Sequence, residues 1–201
     1  MEEEQRGTRS RRRSAPTKGD LRERAILDAA ERQLDTAGAD AMTVATIAQE
    51  AGITRGALYF YFGSKNEVLA ALVERTVTAL RTEVDAVDDG GLPADVVRKG
   101  IERTAQMWRE HGTVMRTAVE LSPSVPVIDQ AWRSAVVALA DTMGGVAERA
   151  GVPPETAARV AAALVWMTER VFYQAFLAES SLDEAAATLT HVWLAAFGVA
   201  R

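Results

Sequence analysis

Apolar residues recur at three- and four-residue spacing along almost the whole chain, and each periodic stretch is bounded by helix start and stop signals. Leu21, Ala25, Ile26, Ala29, Ala30 and Leu34 form one stripe, which predicts a first helix from Lys18 to Ala37 with Gly38 ending it. Thr43 then caps a short helix carrying Val44, Ile47 and Ala48, Gly52 supplies a left-handed turn, Ile53 turns inward, and Thr54 caps another short helix. Ser64-Lys65-Asn66-Glu67 reads as a capping box. It opens a long helix with Val68, Leu69, Leu72, Val73, Val77, Leu80 and Val84 on one face, ending near Val87 before Asp88-Asp89-Gly90-Gly91. Five further helices follow the same logic. They run from Pro93 to Glu110 with a stop around Gly112, from Thr113 to Leu121, from Pro126 to Ala150 with Gly151 behind it, from Pro154 to Ala178, and from Ser181 to the C-terminus. Pro154 sits in a first turn, where its missing N–H does no harm. Ser181-Leu182-Asp183-Glu184 is a second capping box, and Leu182, Leu189, Trp193 and Phe197 make the last stripe. No stretch alternates apolar with polar residues, so the expected fold is all-α with about nine helices and no sheet.

The two short helices around Gly52 have the layout of a helix-turn-helix, whose second helix enters the major groove of DNA. That second helix carries Arg55, Tyr59 and Tyr61, polar-tipped groups suited to phosphates and base edges. Helix N-termini at Thr43, Thr54 and Ser64 offer free backbone N–H groups and a positive dipole end to phosphate. Gly56 has two readings, close approach to DNA or tight packing inside the protein. The candidate DNA-contact set is Thr43, Thr54, Arg55, Gly56, Tyr59, Tyr61 and Lys65.

Thr43, the Ala-Gly-Ile turn at Ala51–Ile53, the Leu-Tyr-Phe-Tyr-Phe run at Leu58–Phe62 and the Ser64-Lys65 helix start together resemble the TetR family of bacterial transcriptional regulators. The likeness is close over about residues 21–75 and rests beyond them on length and helix count. Tyr-Phe-Tyr-Phe-Gly-Ser-Lys at 59–65, Met-Thr-Glu-Arg-Val-Phe-Tyr-Gln-Ala-Phe at 167–176 and His-Val-Trp at 191–193 are similar to the branch that contains the ethionamide-resistance regulator. The resemblance implies a basic arm over residues 1–18, a DNA-binding domain over 19–66, and an effector-binding and dimerisation domain over 67–201. It implies a homodimer formed through the last two helices, a double-stranded operator as partner, and a small apolar or aromatic effector that releases the DNA. Two alternatives stay open: a constitutive DNA-binding regulator with no effector, and a helical small-molecule-binding protein that does not touch DNA.

Charge changes the picture once it is divided along the chain. The formal net charge is −5, an odd value for a DNA binder. Residues 5–25, however, hold eight Lys/Arg against only Asp20 and Glu23, a local excess of +6, and nucleic-acid affinity follows local charge. The Arg9–Arg13 cluster lies in a stretch without apolar periodicity that reads as disordered. It is either a solvated tail or an arm that follows the DNA backbone. The longest apolar run, Val160–Met167, is eight residues, far short of a bilayer span. There is no cysteine, so redox chemistry does not identify the compartment, and with no secretion signal a cytoplasmic protein without a membrane partner is the default expectation.

Nothing in the sequence has the spacing of an enzyme site or of a metal or cofactor site. His111 and His191 fall in different helices, and Glu169-Arg170 reads as an ion pair or a polar patch on a cavity wall. The aromatic residues say more. Trp108, Trp132, Trp166 and Trp193 fall on four different C-terminal helices, with Phe172 and Tyr173 close to Trp166. They are either plain core or several walls of one cavity, since ligand sites in helical domains lie between helices with aromatic linings and few polar groups. The candidate effector set is Trp108, Trp132, Thr168, Phe172, Tyr173 and Trp193. The helix from Pro154 is apolar around most of its circumference, so it needs a partner on its outer side as well.

Overall fold

The computed structural model describes residues 17–87 and 90–199. Most of the basic arm, residues 1–16, lies outside the described residues. Among the described residues the chain forms eight α-helices: α1 Lys18–Ala41, α2 Val44–Glu50, α3 Arg55–Tyr61, α4 Lys65–Val87, α5 Pro93–Leu121, α6 Pro126–Arg149, α7 Pro154–Leu177 and α8 Leu182–Ala196. The all-α expectation holds, with one helix fewer than expected.

The missing helix comes from a false stop. Pro93–Glu110 and Thr113–Leu121 are one helix, α5, with a single kinked residue at His111 (φ −129°, ψ 24°). Gly112 is there because of packing rather than termination. A Cβ at that position would lie 2.1 Å from Cε2 of Phe176 on α7. The glycine lets an aromatic ring rest on the α5 backbone, a tertiary demand that helix signals do not encode. Gly38 does break α1 as expected, at φ 76° and ψ 169°, and one more turn follows it to Ala41.

Helices α1 to α3 form a small head. Thr43 Oγ1 accepts from Thr46 N at 3.1 Å, and Thr46 Oγ1 accepts from Thr43 N at 3.0 Å, so two free donors at the α2 start are satisfied reciprocally. At the α2 end, Gly52 takes φ 66°, and its N–H and that of Ile53 return to Gln49 O and Ala48 O. Helix α2 is clamped to α1 by Glu50, which accepts from Gln33 at 2.9 Å and Arg32 at 2.7 Å. Those donors, Gln33 first, hold the Glu50 carboxyl below its usual range.

Helix α4 joins the head to the body, packing on α1 at one end and on α5 and α6 along its length. Its start differs from a full capping box. Ser64 Oγ accepts from Glu67 N at 3.2 Å, but the Glu67 carboxylate accepts from Gly63 N at 2.8 Å. Arg75 on α4 reaches Asp28 and Glu31 on α1, both at 2.6 Å, and Glu31 also contacts His111 Nδ1 at the α5 kink. One polar cluster therefore ties head, linker helix and body together. Behind it a continuous core runs from Ile26 to Phe197.

Candidate functional site

Helix α3 has one buried anchor and an exposed face. Leu58 is fully buried, while Thr54, Arg55, Gly56, Tyr59 and Phe60 are exposed. Thr54 caps the helix by accepting from Ala57 N at 3.1 Å. Gly56 is not required by packing, because a Cβ there would meet only Thr54 Oγ1 at 3.9 Å. Thr43 is exposed at the α2 start, and Tyr61 is half-buried with its ring edge-on to Phe60, centroids 5.4 Å apart. Lys65 is differently placed from the rest. Its ammonium donates to Ala39 O at 2.9 Å and so ties α4 to the end of α1. Phe60, 84% exposed, is the residue on this face that the sequence reading passed over. Its only signal in the sequence is its place between Tyr59 and Tyr61.

The second site is a cavity of about 70 Å³ in the body, walled by α4 through α8. Trp108 from α5, Trp132 from α6, Thr168 from α7 and Trp193 from α8 all line it. Trp193 Nε1 donates to Thr168 Oγ1 at 2.9 Å, which fixes one indole against the wall. Two members of the candidate effector set do not line the cavity. Phe172 is fully buried behind it, its ring stacked on Trp108 with centroids 6.5 Å apart. Tyr173 points away. Its hydroxyl donates to Glu120 Oε1 at 3.3 Å, and the Arg170 guanidinium sits 5.1 Å above its ring. Helical geometry explains this: five residues beyond Thr168 is a rotation of about 140° round α7. Desolvation, reinforced by Glu120, holds the Tyr173 phenol above its usual range.

Three wall residues from α4, Val77, Leu80 and Val84, were read in the sequence as ordinary stripe positions. Nothing in an apolar stripe separates core from cavity wall. Glu169, named above as half of a charged pair, lies on the wall next to Thr168. Trp166 does not reach the cavity and is 40% exposed on the outer side of α7.

Comparison with known proteins agrees with this two-part layout. Residues 26–72 match the model of bacterial regulatory proteins of the tetR family, and residues 97–198 match the C-terminal domain of the transcriptional regulator EthR. The chain belongs to the TetR family of bacterial transcriptional regulators. It is 34% identical over 195 residues to the HTH-type transcriptional regulator EthR of Mycolicibacterium smegmatis, covering 91% of this chain and 89% of that one. It is likewise 34% identical over 201 residues to EthR of Mycobacterium tuberculosis, covering 91% and 90%. Among solved structures it is similar to SmeT, the repressor of the Stenotrophomonas maltophilia multidrug efflux pump SmeDEF, with a TM-score of 0.69 and 26% identity over 87% of this chain and 89% of that one. This chain is therefore a DNA-binding transcriptional regulator of EthR type, and the reading without DNA is set aside. Among the described residues no helix is long and apolar enough to cross a membrane, and no acidic or histidine cluster could hold a metal ion.

Proposed function

We propose that this regulator binds a palindromic operator as a homodimer and leaves it when a small, mainly apolar effector enters the α4–α8 cavity. The observation that carries the DNA half is the α3 face: a capped seven-residue helix with one buried anchor and an outward row of Thr54, Arg55, Gly56, Tyr59 and Phe60. Arg55 and the two tyrosines suit phosphates and base edges, and Phe60 suits a thymine methyl. Gly56 lets the backbone come close. Lys65, held by Ala39 O, contributes charge at the rim.

The effector half rests on size. Sites for drug-like ligands hold about 300–1,000 Å³, and this cavity has about 70 Å³. An effector enters only by moving its walls apart, and one of those walls is α4, the helix on which the head sits. A ligand that favours the opened arrangement shifts the population toward it, and the operator favours the other. The Arg75–Glu31–His111 cluster transmits the change of α4 and α5 to α1. The dimer rests on α7, where Trp166 and Leu177 are exposed at 40% and 42% and the flanking Ala163 is exposed too. The small size of the cavity equally favours a second reading, a regulator with a nearly filled core and no effector. A ligand-induced rise in melting temperature separates the two.

The test is an electrophoretic titration of duplex DNA from upstream of the regulator's own gene, at two salt concentrations, with the parent and with Gly56→Ala. Phosphate contacts make the parent's affinity fall steeply with salt. Gly56→Ala keeps its melting temperature or gains, because alanine favours helix by about 1 kcal/mol, yet binds DNA more weakly. Equal DNA affinity in the two proteins would remove α3 from the interface.

A further inference from the structure

A residue on the cavity wall carries a polar atom that the described residues leave unsatisfied. Glu169 Oε1 is buried without a hydrogen-bond partner, and the side chain is 8% exposed. Of the hydroxyls on the same wall, Thr104 donates its proton to Gly100 O at 2.8 Å, and Thr168 accepts from Trp193 and makes no hydrogen bond to Glu169 Oε1. Arg170 comes no closer than 3.9 Å and is 57% exposed, its guanidinium lying over the Tyr173 ring on the outside of α7. Burial holds the Glu169 carboxyl above its usual range, against the weak pull of Arg170.

A buried carboxylate without donors is costly in the empty cavity, and a partner with donors recovers that cost on binding. The chemistry of the wall narrows the partner. Its remaining surface is almost wholly apolar, so a hydrated inorganic ion gains nothing there. Three indoles, Trp108, Trp132 and Trp193, line it with Glu169, and indole rings attract cations. We propose that the cavity selects amphipathic amines, with an aromatic or alkyl body among the indoles and one ammonium group whose N–H donates to Glu169. The inference rests on the reading of this cavity as the effector site and adds the class of effector.

The test compares para-butylbenzylamine with para-butylbenzyl alcohol, which share a shape and differ in the cation. Binding to the full chain is followed by tryptophan fluorescence and by thermal shift, for the parent and for Glu169→Gln. The parent should bind the amine about tenfold or more tighter than the alcohol, the worth of one charge-assisted hydrogen bond. Glu169→Gln should bind the two alike. Glu169→Leu, apolar and of similar size, serves if the glutamine variant folds poorly, and should lose the preference in the same way. Equal binding of both compounds by the parent, or an amine preference that survives in the variants, overturns the amine assignment and leaves the cavity as the effector site. Failure of both compounds to bind the parent overturns the amine assignment and the effector reading of the cavity together.

Discussion

Replacing Gly112 with alanine probes how the kinked α5 is held against α7. The new Cβ would lie 2.1 Å from Cε2, 2.6 Å from Cζ and 2.7 Å from Cδ2 of Phe176. That ring has little room to retreat, because it packs against Trp108 with centroids 5.8 Å apart, and Trp108 is itself 1% exposed and stacked on Phe172. Two effects oppose each other. Alanine favours helix over glycine by about 1 kcal/mol. Overpacking costs about 1–3 kcal/mol, and contacts this short belong at the upper end. The net expectation is a loss of about 1–2 kcal/mol, or about 2–8 °C in melting temperature at this chain length. Denaturant titration of Gly112→Ala, Phe176→Leu and the double variant measures it. The smaller leucine side chain should relieve the clash, so the double variant should be less destabilised than the sum of the singles. If Gly112→Ala alone is more stable than the parent, or if the two changes simply add, the packing account of Gly112 is wrong.

The proposed dimer surface and the buried carboxyl give two further expectations. Trp166→Asp places a charge on the exposed side of α7 and should turn a dimer into a monomer in sedimentation velocity, with helix content unchanged by circular dichroism. A parent that sediments as a monomer would count against the interface. Burial raises the pKa of Glu169, so between its unfolded and folded values the folded chain binds the proton more readily than the unfolded chain does. Its contribution is most favourable below the ordinary carboxyl range and declines as pH rises through the raised value. The melting temperature of Glu169→Gln relative to the parent should therefore rise from acid toward neutral pH, and a difference independent of pH would mean that the carboxyl is not perturbed.

Local chemistry was legible in the sequence and tertiary placement was not. Thr43, Thr54 and Ser64 cap their helices through hydrogen bonds to a residue three along, a relation that lies wholly within a short window. Gly52 is similar, since its left-handed turn needs nothing beyond its neighbours. Gly112 looked the same on paper and does something else, because its requirement comes from Phe176, far along the chain on another helix. The aromatic residues divide in the same way. Their spacing placed the tryptophans on separate helices, but which ones face inward depends on how each helix is rotated in the bundle. Trp108, Trp132 and Trp193 turn to the cavity, while Trp166 and Tyr173 turn out. Glu169 was visible as a charge in an apolar helix. That its Oε1 lacks a partner could be known only once Arg170 was seen to lie over Tyr173.

The central claim is that two copies of α3 read two symmetry-related half-sites, and selection from a pool of random duplexes tests it most directly. The full chain, immobilised at moderate salt and washed through successive rounds, should enrich an inverted repeat whose half-sites lie one helical turn, about 10 base pairs, or a multiple of it apart. Enrichment of a lone half-site with no symmetric partner, or of no common sequence at all, would contradict the account.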